Sequence, residues 1–403
     1  MTVDTMRRID HHVGILLCAI LHAWFRIWHC FRPVRTARPE RLLFIELSEM
    51  GSAILVDPAM RLAKAKGAEI FFLIFARNAP SLSLLQTVDR ERIFTLRGDS
   101  IVSLAVDVLR FLAWARRERI DTVIDLELFS RITALLTALS GARNRVGFDA
   151  FHNEGLYRGN LLTHRVAYNP HHHIAKNFLA MVHAAFSETP QLPYYKQAIA
   201  DEEMQLAQAP QNPEAIANVR RIVAELCPDY EPGRHRLVLV NPNASDLLPQ
   251  RRWLPQRFVE VMRQLTARYP DVKVLITGSP SEVPEAENLR AQVGHPNCQS
   301  LAGKFRLEEM VALYQCSALM LTNDSGPGHF SAVTPLRTIV LFGPETPSLY
   351  GSLGNSVPVW AGLACSPCVS AANHRKTPCH DNVCLQAITT DRVLALIHAE
   401  LAN

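Results

Sequence analysis

The sequence predicts an α/β protein with two Rossmann-like, doubly wound domains facing across a cleft. Three observations carry that prediction. A length of 403 residues suits two domains better than one. Two separate blocks alternate short apolar runs with amphipathic stretches, the pattern of βαβ units in a parallel sheet. In the second block those runs end in Gly, Asn, Ser and Asp turns, at the strand ends where open α/β sheets bind ligands. Composition is ordinary for a globular chain, 48% hydrophobic and 20% charged, and a net charge of +4 is too small to argue for nucleic acid.

The charge excess has a location. Residues 1–41 hold seven arginines against three acids, which accounts for the whole surplus. Val13 to Phe31 reads VGILLCAILHAWFRIWHCF. As a helix it is about 28 Å long, close to a bilayer core. His22, Arg26 and His29 interrupt it, and Trp24, Phe25, Trp28 and Phe31 supply the aromatic load of a membrane–water interface. A membrane-associated helix lying in the interface is expected, with a spanning anchor or a core or dimer helix as alternatives. No small-x-small cleavage site follows, which argues against a secretory signal. Pro33 and Pro39 mark a linker, so residues 1–40 stand apart.

Residues 41–185 form the first predicted domain. RLLFIEL (Arg41–Leu47) is a buried strand, the turn Ser48-Glu49-Met50-Gly51-Ser52 follows, and Ala53–Lys66 fits a helix. Strands Glu69–Phe75, Arg92–Leu96, Thr122–Leu126 and Arg145–Phe148 alternate with helices Ile101–Arg117 and Arg131–Leu139. Ser48 to Ser52 is either an active-site loop or a plain βα turn with Ser48 as the cap. The run His171-His172-His173 reads as a surface loop, because three adjacent side chains cannot converge on one ion from regular structure. Residues 186–235, with Pro190, Pro193 and Pro210, read as an interdomain connection.

The second predicted domain is 236–403. Its strands are Arg236–Val240, Lys273–Thr277, Cys298–Leu301, Ala318–Leu321 and Thr338–Phe342, with helices Gln256–Tyr269, Glu285–Val293 and Leu307–Cys316 between them. Three turns at these strand ends carry chemistry. LTNDSGPGHF (Leu321–Phe330) is a strand, a tight turn and a helix start at Phe330. Free backbone N–H groups there form an anion site, Gly326 and Gly328 allow close approach, and Asp324, Ser325 and His329 stand at the strand's end. The competing reading is that Asp324 or Ser325 only caps that helix. Asn241-Pro242-Asn243-Ala244-Ser245 leads to Arg251-Arg252-Trp253, where a guanidinium neutralises a phosphate or two arginines are simply solvated. Gly278-Ser279-Pro280-Ser281-Glu282 puts a carboxylate where it binds a ribose diol or caps a helix.

The order LSEMGS, NPNAS with RRW, TGSPSE, LAGK, NDSGPGH and LFGPETP resembles glycosyltransferase family 9, the ADP-heptose:lipopolysaccharide heptosyltransferases, over about residues 41 to 390. NDSGPGH with the following FGP is its most specific part. The resemblance implies a GT-B fold and inverting, metal-independent transfer from a nucleotide diphosphate sugar, with an ADP-sugar favoured. By position it places Arg251 on the donor pyrophosphate and Glu282 near the donor ribose. It puts Asp324, Ser325 and Gly326 on sugar and phosphate, with His329 behind them and Asn243 and Ser245 alongside.

One position departs from the family. The first loop there usually reads basic-x-Ser-x-x-Gly-Asp, with Asp as general base. Here Ser52 stands at that Asp and Glu46 at the basic residue. Displacement at an anomeric carbon needs a base to take the acceptor proton. Glu49 is the nearest carboxylate in the loop and the substitute candidate, with Asp57 second; Ser48, Gly51 and Ser52 complete the acceptor loop.

Cys365, Cys368, Cys379 and Cys384 give C-x2-C-x10-C-x4-C. The spacing leaves two readings: a structural zinc site or reduced thiol cluster, and a pair of disulfides. No cofactor is expected for catalysis. Together these readings describe a glycosyltransferase on the cytoplasmic face of a bacterial inner membrane, with a lipopolysaccharide-type or lipid-linked saccharide acceptor and no nucleic acid. A catalytically inactive, membrane-bound scaffold relative and a sugar-nucleotide epimerase of the same fold are the alternatives.

Overall fold

The computed structural model describes residues 3–31, 36–47, 50–128, 130–151, 157–370, 373 and 375–402. The chain divides into two compact units, Met1–Gln205 and Leu206–Asn403, a division that falls inside the Pro-containing stretch 186–235.

Unit 1 opens with α1 (Val3–Phe31), then β1 (Arg41–Ile45), α2 (Met50–Leu55), α3 (Asp57–Ala65), β2 (Glu69–Phe75) and β3 (Ile93–Leu96). It continues with α4 (Ile101–Arg117), β4 (Thr122–Asp125), α5 (Arg131–Leu139), β5 (Asn144–Asp149), β6 (His164–Ala167) and α6 (Ile174–Ala185). The six strands are parallel in the order β3-β2-β1-β4-β5-β6. The apolar runs of the four inner strands are buried on both faces, as a parallel sheet covered by helices requires, and the edge strands β3 and β6 are partly exposed. Phe111 and Trp114 of α4 and Leu136 of α5 close the core over Leu43, Phe71 and Leu73. The single helix expected over Ala53–Lys66 is two, because the chain restarts at Asp57 with Pro58 in the first turn, where a missing N–H costs nothing.

α1 is longer than expected and is seated on unit 1. Its Asp10 Oδ1 accepts from the N–H groups of Arg131 and Ile132 at 2.7 and 2.9 Å, so it caps α5. Arg131 also pairs with the Asp10 carboxylate at 3.3 Å. Further along, Cys18 is buried with Leu135, Ala138 and Leu161.

Unit 2 holds α7 (Pro213–Leu226), β7 (Arg236–Asn241), α8 (Pro255–Arg268), β8 (Val272–Ile276), α9 (Val283–Val293) and β9 (Cys298–Ser300). Then come α10 (Leu307–Gln315), β10 (Leu319–Asn323), α11 (Gly326–Ser331), β11 (Arg337–Phe342) and β12 (Ser356–Trp360), with Thr390–Leu401 as a closing helix. The parallel order is β12-β11-β10-β7-β8-β9. α11 starts four residues earlier than its expected start at Phe330. β12 escaped the pattern because Pro358 interrupts it, which an edge strand tolerates. Both sheets share one topology, and in each the strand order reverses at a switch point: between β1 and β4, and between β7 and β10.

Candidate functional site

At the switch point of unit 2, Asn323 ends β10 and fixes the neighbouring turns. Its Oδ1 accepts from the Trp253 N–H at 3.1 Å, and its Nδ2 donates to the Pro242 carbonyl at 2.7 Å. Trp253 is buried and its Nε1 donates to the Ile388 carbonyl at 3.0 Å. These bonds carry the preceding residue pair across the strand ends, and the two arginines separate. Arg252 spends its guanidinium on the Ala244 carbonyl, at 3.1 and 2.6 Å, and on Asp246. Arg251 turns inward. Its Nη2 donates to Glu345 Oε1 at 3.4 Å, and its Nε lies 3.4 Å from Asp324 Oδ2. Arg375 reaches the same Glu345 oxygen at 3.4 Å and lies over the Tyr350 ring at 4.9 Å.

Two buried carboxylates thus share two guanidinium groups. Loss of water pushes the Asp324 carboxyl up, and Arg251 pulls it back. Burial pushes Glu345 up to about 8, with Arg251 opposing and the Asp324 charge adding. The edge is also short of hydrogen bonds. Asn241 Oδ1, Asn243 Nδ2, Arg251 Nε and Asp324 Oδ2 are all buried without a hydrogen-bond partner. Arg251 Nε and Asp324 Oδ2 face each other at 3.4 Å as an ion pair outside hydrogen-bond geometry, and folded chains rarely leave such buried atoms unmet.

The remaining predicted residues divide. Asn243 sits beside Gly278 and Glu282: a Cβ at Gly278 would lie 3.1 Å from Asn243 Nδ2 and 3.2 Å from Glu282 Oε2. A side chain at position 278 would press on both, and glycine leaves them room. Glu282 accepts from the Ser279 N–H at 2.6 Å, so its carboxylate is engaged as a cap. Ser245 is exposed, and its Oγ accepts from Leu247 N–H at 3.2 Å, outside the buried cluster. Ser325 Oγ donates to the Asn323 carbonyl at 3.2 Å, which ties the turn to the strand. Gly328 gives its N–H to the Ser325 carbonyl at 3.1 Å, and His329 is buried in the short α11. Glu345 and Arg375 were missed. The first lies inside the quoted LFGPETP, where its carboxylate was the available signal; the second gave none.

The corresponding edge of unit 1 is differently furnished. Ser48 and Glu49 lie outside the described residues. Gly51 and the buried Ser52 belong to α2. The loop's entry is held at Leu47, whose N–H donates to Glu127 Oε1 at 3.0 Å and whose carbonyl accepts from Asn78 Nδ2 at 2.7 Å. Asp125, the last residue of β4, is buried against Arg158, which also donates to the Glu127 carbonyl at 2.9 Å. Burial pushes Asp125 up to about 6 despite Arg158. Asp57 is buried and bonded to Arg61 and Thr87, the surroundings of a structural carboxylate. Sequence reading passed over Asp125 and Glu127, which sit just where a strand ends.

Of the readings left open for the cysteines, reduced thiols are what the structure shows; the zinc site finds no support and the disulfides are not formed. All four are free thiols, and among the described residues no three His, Cys, Asp or Glu side chains are placed to hold a metal ion. Cys365 is exposed, Cys368 Sγ accepts from Thr377 and Cys379 Sγ donates to Asp381 at 3.4 Å. Only Cys384 is buried. Burial pushes its thiol up, and Cys368 and Cys379 lie near enough for their charges to add to the rise. Three of the sulfurs are thus neighbours, but among the described residues they are not arranged as a metal site. The histidine run behaves as expected: His171 and His172 are exposed and His173 caps α6.

A family signature described as glycosyltransferase family 9 (heptosyltransferase) matches residues 108–377, well over half of the sequence. The chain belongs to glycosyltransferase family 9. Lipopolysaccharide heptosyltransferase 2 of Salmonella typhimurium is 25% identical over 137 residues, 33% of this chain and 39% of the relative, so the chain spans under half of that protein's length. Among solved structures, Escherichia coli ADP-heptose lps heptosyltransferase II superimposes with a TM-score of 0.66 at 18% identity, covering 90% of this chain and 98% of its own. A family 9 glycosyltransferase from Veillonella parvula gives 0.68 at 16% identity, with 91% and 99% covered. At such identities the family 9 structures show a shared fold, the GT-B plan of two Rossmann-like units.

Proposed function

We propose that the chain is an inverting, metal-independent glycosyltransferase. It moves a heptose-like sugar from a nucleotide diphosphate sugar, ADP-linked by analogy with the named relatives, to a lipopolysaccharide or lipid-linked saccharide at the cytoplasmic face of the inner membrane. The observation that carries this reading is the set of unmet buried polar atoms around Arg251 at the unit 2 switch point. A diphosphate brings acceptor oxygens for Arg251, and a sugar brings hydroxyls for Asp324 and Asn243. Negative charge grows on the diphosphate as the anomeric bond breaks, and Arg251 with Arg375 stabilises it in a site largely closed to water. Asp324 orients the donor sugar. In unit 1 a carboxylate takes the acceptor proton. Glu49 keeps that role as the loop's own carboxylate, and Glu127 is a second reading favoured by its bond to Leu47.

Donor turnover tests the proposal. Purified protein is given ADP-heptose with a lipopolysaccharide-core acceptor, with and without chelator. Acceptor-dependent ADP release, insensitive to chelator and lost in Asp324→Ala, is expected. Conversion of donor without acceptor would point to the epimerase. Donor binding with no turnover on any acceptor would point to the scaffold relative.

A further inference from the structure

Nineteen large apolar side chains are exposed among the described residues, and thirteen of them lie on α1 and α4. Both helices belong to unit 1, and α5 links them. α1 carries two stripes. Asp10, Gly14, Cys18, His22 and Phe25 recur at helical spacing and face the protein. A Cβ on Gly14 would lie 2.8 Å from Arg131 Cβ, Cys18 is buried, and His22 Nδ1 accepts from Asn160 N–H at 3.0 Å. The opposite stripe, Val13, Leu16, Ile20, Trp24, Ile27 and Phe31, has the same spacing and faces water, with Trp24 61% and Phe31 81% exposed.

α4 repeats the inversion. Phe111, Trp114 and Ala115 pack into the core, while Val102 and Leu109 are 74% and 68% exposed. α5 touches both neighbours: Leu136 joins the α4 core, and Leu135 and Ala138 join the α1 cluster. At its start α1 comes against the turn before α4, since a Cβ on Gly98 would lie 3.3 Å from Met6 Cε. Ordinary surface helices carry their apolar side chains inward. α1 and α4, each packed on α5, both carry large apolar side chains outward, and a surface of that kind marks a lipid or partner contact.

We propose that the outward stripes of α1 and α4 form one bilayer-contacting face, with α1 lying flat in the headgroup region and anionic lipid as the partner. The proposal deepens the membrane reading above, in which α1 alone was implicated. Charge selects lipid over a second copy. Of the acids on these helices, Asp10 and Asp107 are turned inward, onto Arg131 and Arg97, and the exposed Asp4 is offset by Arg7 at 3.6 Å. Arg8, Arg26 and Arg110 remain exposed on these helices. Two copies of such a face repel each other, whereas anionic headgroups complement it. Trp24 and Trp28, stacked at 6.3 Å, are the side chains that settle at a membrane–water boundary. With its inner stripe bonded to α5 and to Asn160, α1 presents one face to lipid rather than its whole circumference.

Vesicle flotation of the full chain tests this. The probes are vesicles of phosphatidylcholine alone, and the same with about one-third phosphatidylglycerol. Wild type should float with the anionic vesicles and at least tenfold less with neutral ones. The double change Val102→Glu with Leu109→Glu, on α4 only, should lower partitioning at least tenfold while melting temperature and ADP affinity stay unchanged. An α4 variant that floats like wild type would overturn the composite face. Wild type that ignores anionic vesicles but runs as a dimer, made monomeric by the α4 change, would assign the face to self-association instead. Loss of ADP binding with flotation intact would sink the donor reading and leave this one standing.

Discussion

The two sheets have the same strand order and the same switch point, yet their ligand-side edges are finished in opposite ways. In unit 1, β4 ends in Asp125, and that carboxylate is met by Arg158 while Glu127 closes on Leu47. In unit 2, β10 ends in Asn323, which spends itself on positioning Trp253 and Pro242. The charged groups beside it, Arg251 and Asp324, are left short of hydrogen bonds. One framework therefore yields an edge whose strand-end carboxylate is met by a guanidinium, with Arg158 Nε left unbonded, and an edge where four buried polar atoms have no hydrogen bond. The difference favours the unit 2 edge for the phosphate-bearing substrate of the proposed reaction.

The sharpest ways to break this comparison act on chemistry. If a unit 1 carboxylate is the base, Glu49→Gln or Glu127→Gln should lower kcat by about 10²–10⁴-fold, and only one of them should. Single-turnover assays decide which. On the unit 2 side, Arg251→Gln should cut kcat by about 10²–10³-fold by removing a donor aimed at developing charge. Arg252→Gln, whose guanidinium only braces Ala244 and Asp246, should stay within a few-fold. Equal losses at both positions would contradict the separation of the pair.

Stability offers two smaller tests. Asp125→Ala leaves the Arg158 guanidinium, 9% exposed, without its carboxylate. A cost of about 3 kcal/mol is expected, read by denaturant titration. Glu345→Gln should stabilise, in a pH-dependent way. Glu345 is held above its ordinary value of 4.5, at about 8, so the folded chain keeps a proton that the unfolded chain gives up. Its contribution is full below pH 4.5 and is lost as pH rises through 8. The melting-temperature advantage of the glutamine variant should therefore widen across that window, at about 2–4 °C per kcal/mol for a unit of this size. A constant gap would mean the carboxyl is not held protonated.

The sequence made the scaffold legible because parallel strands buried on both faces must be near-continuous apolar runs, and RLVLV or EIFFLIF cannot be much else. Helices Ile101–Arg117 and Arg131–Leu139 were legible to the residue because Ser100 and Ser130 cap them. β12 and α7 were hidden by prolines that structure tolerates at an edge and in a first turn. The site was half visible. Motif order pointed to Arg251, Asn243 and Asp324, which the fold brings to one edge. Spacing could not show that Ser245 turns away, that Glu282 is engaged as a cap, or that Glu345 and Arg375 come together from separate loops. Nor could it show that the four cysteines stay free thiols, with Cys365 exposed and Cys384 buried. The outward stripes of α1 and α4 were legible only in part, since an apolar face reads as core until its neighbours are known.

The most direct test of the central claim is calorimetric titration of ADP into wild type and Arg251→Gln, with Arg252→Gln as the control. Wild type and the Arg252 variant should bind alike, and the Arg251 variant should bind at least a hundredfold more weakly, a loss of about 2.7 kcal/mol. Equal affinity in all three proteins would contradict the assignment of the donor diphosphate to the unit 2 edge.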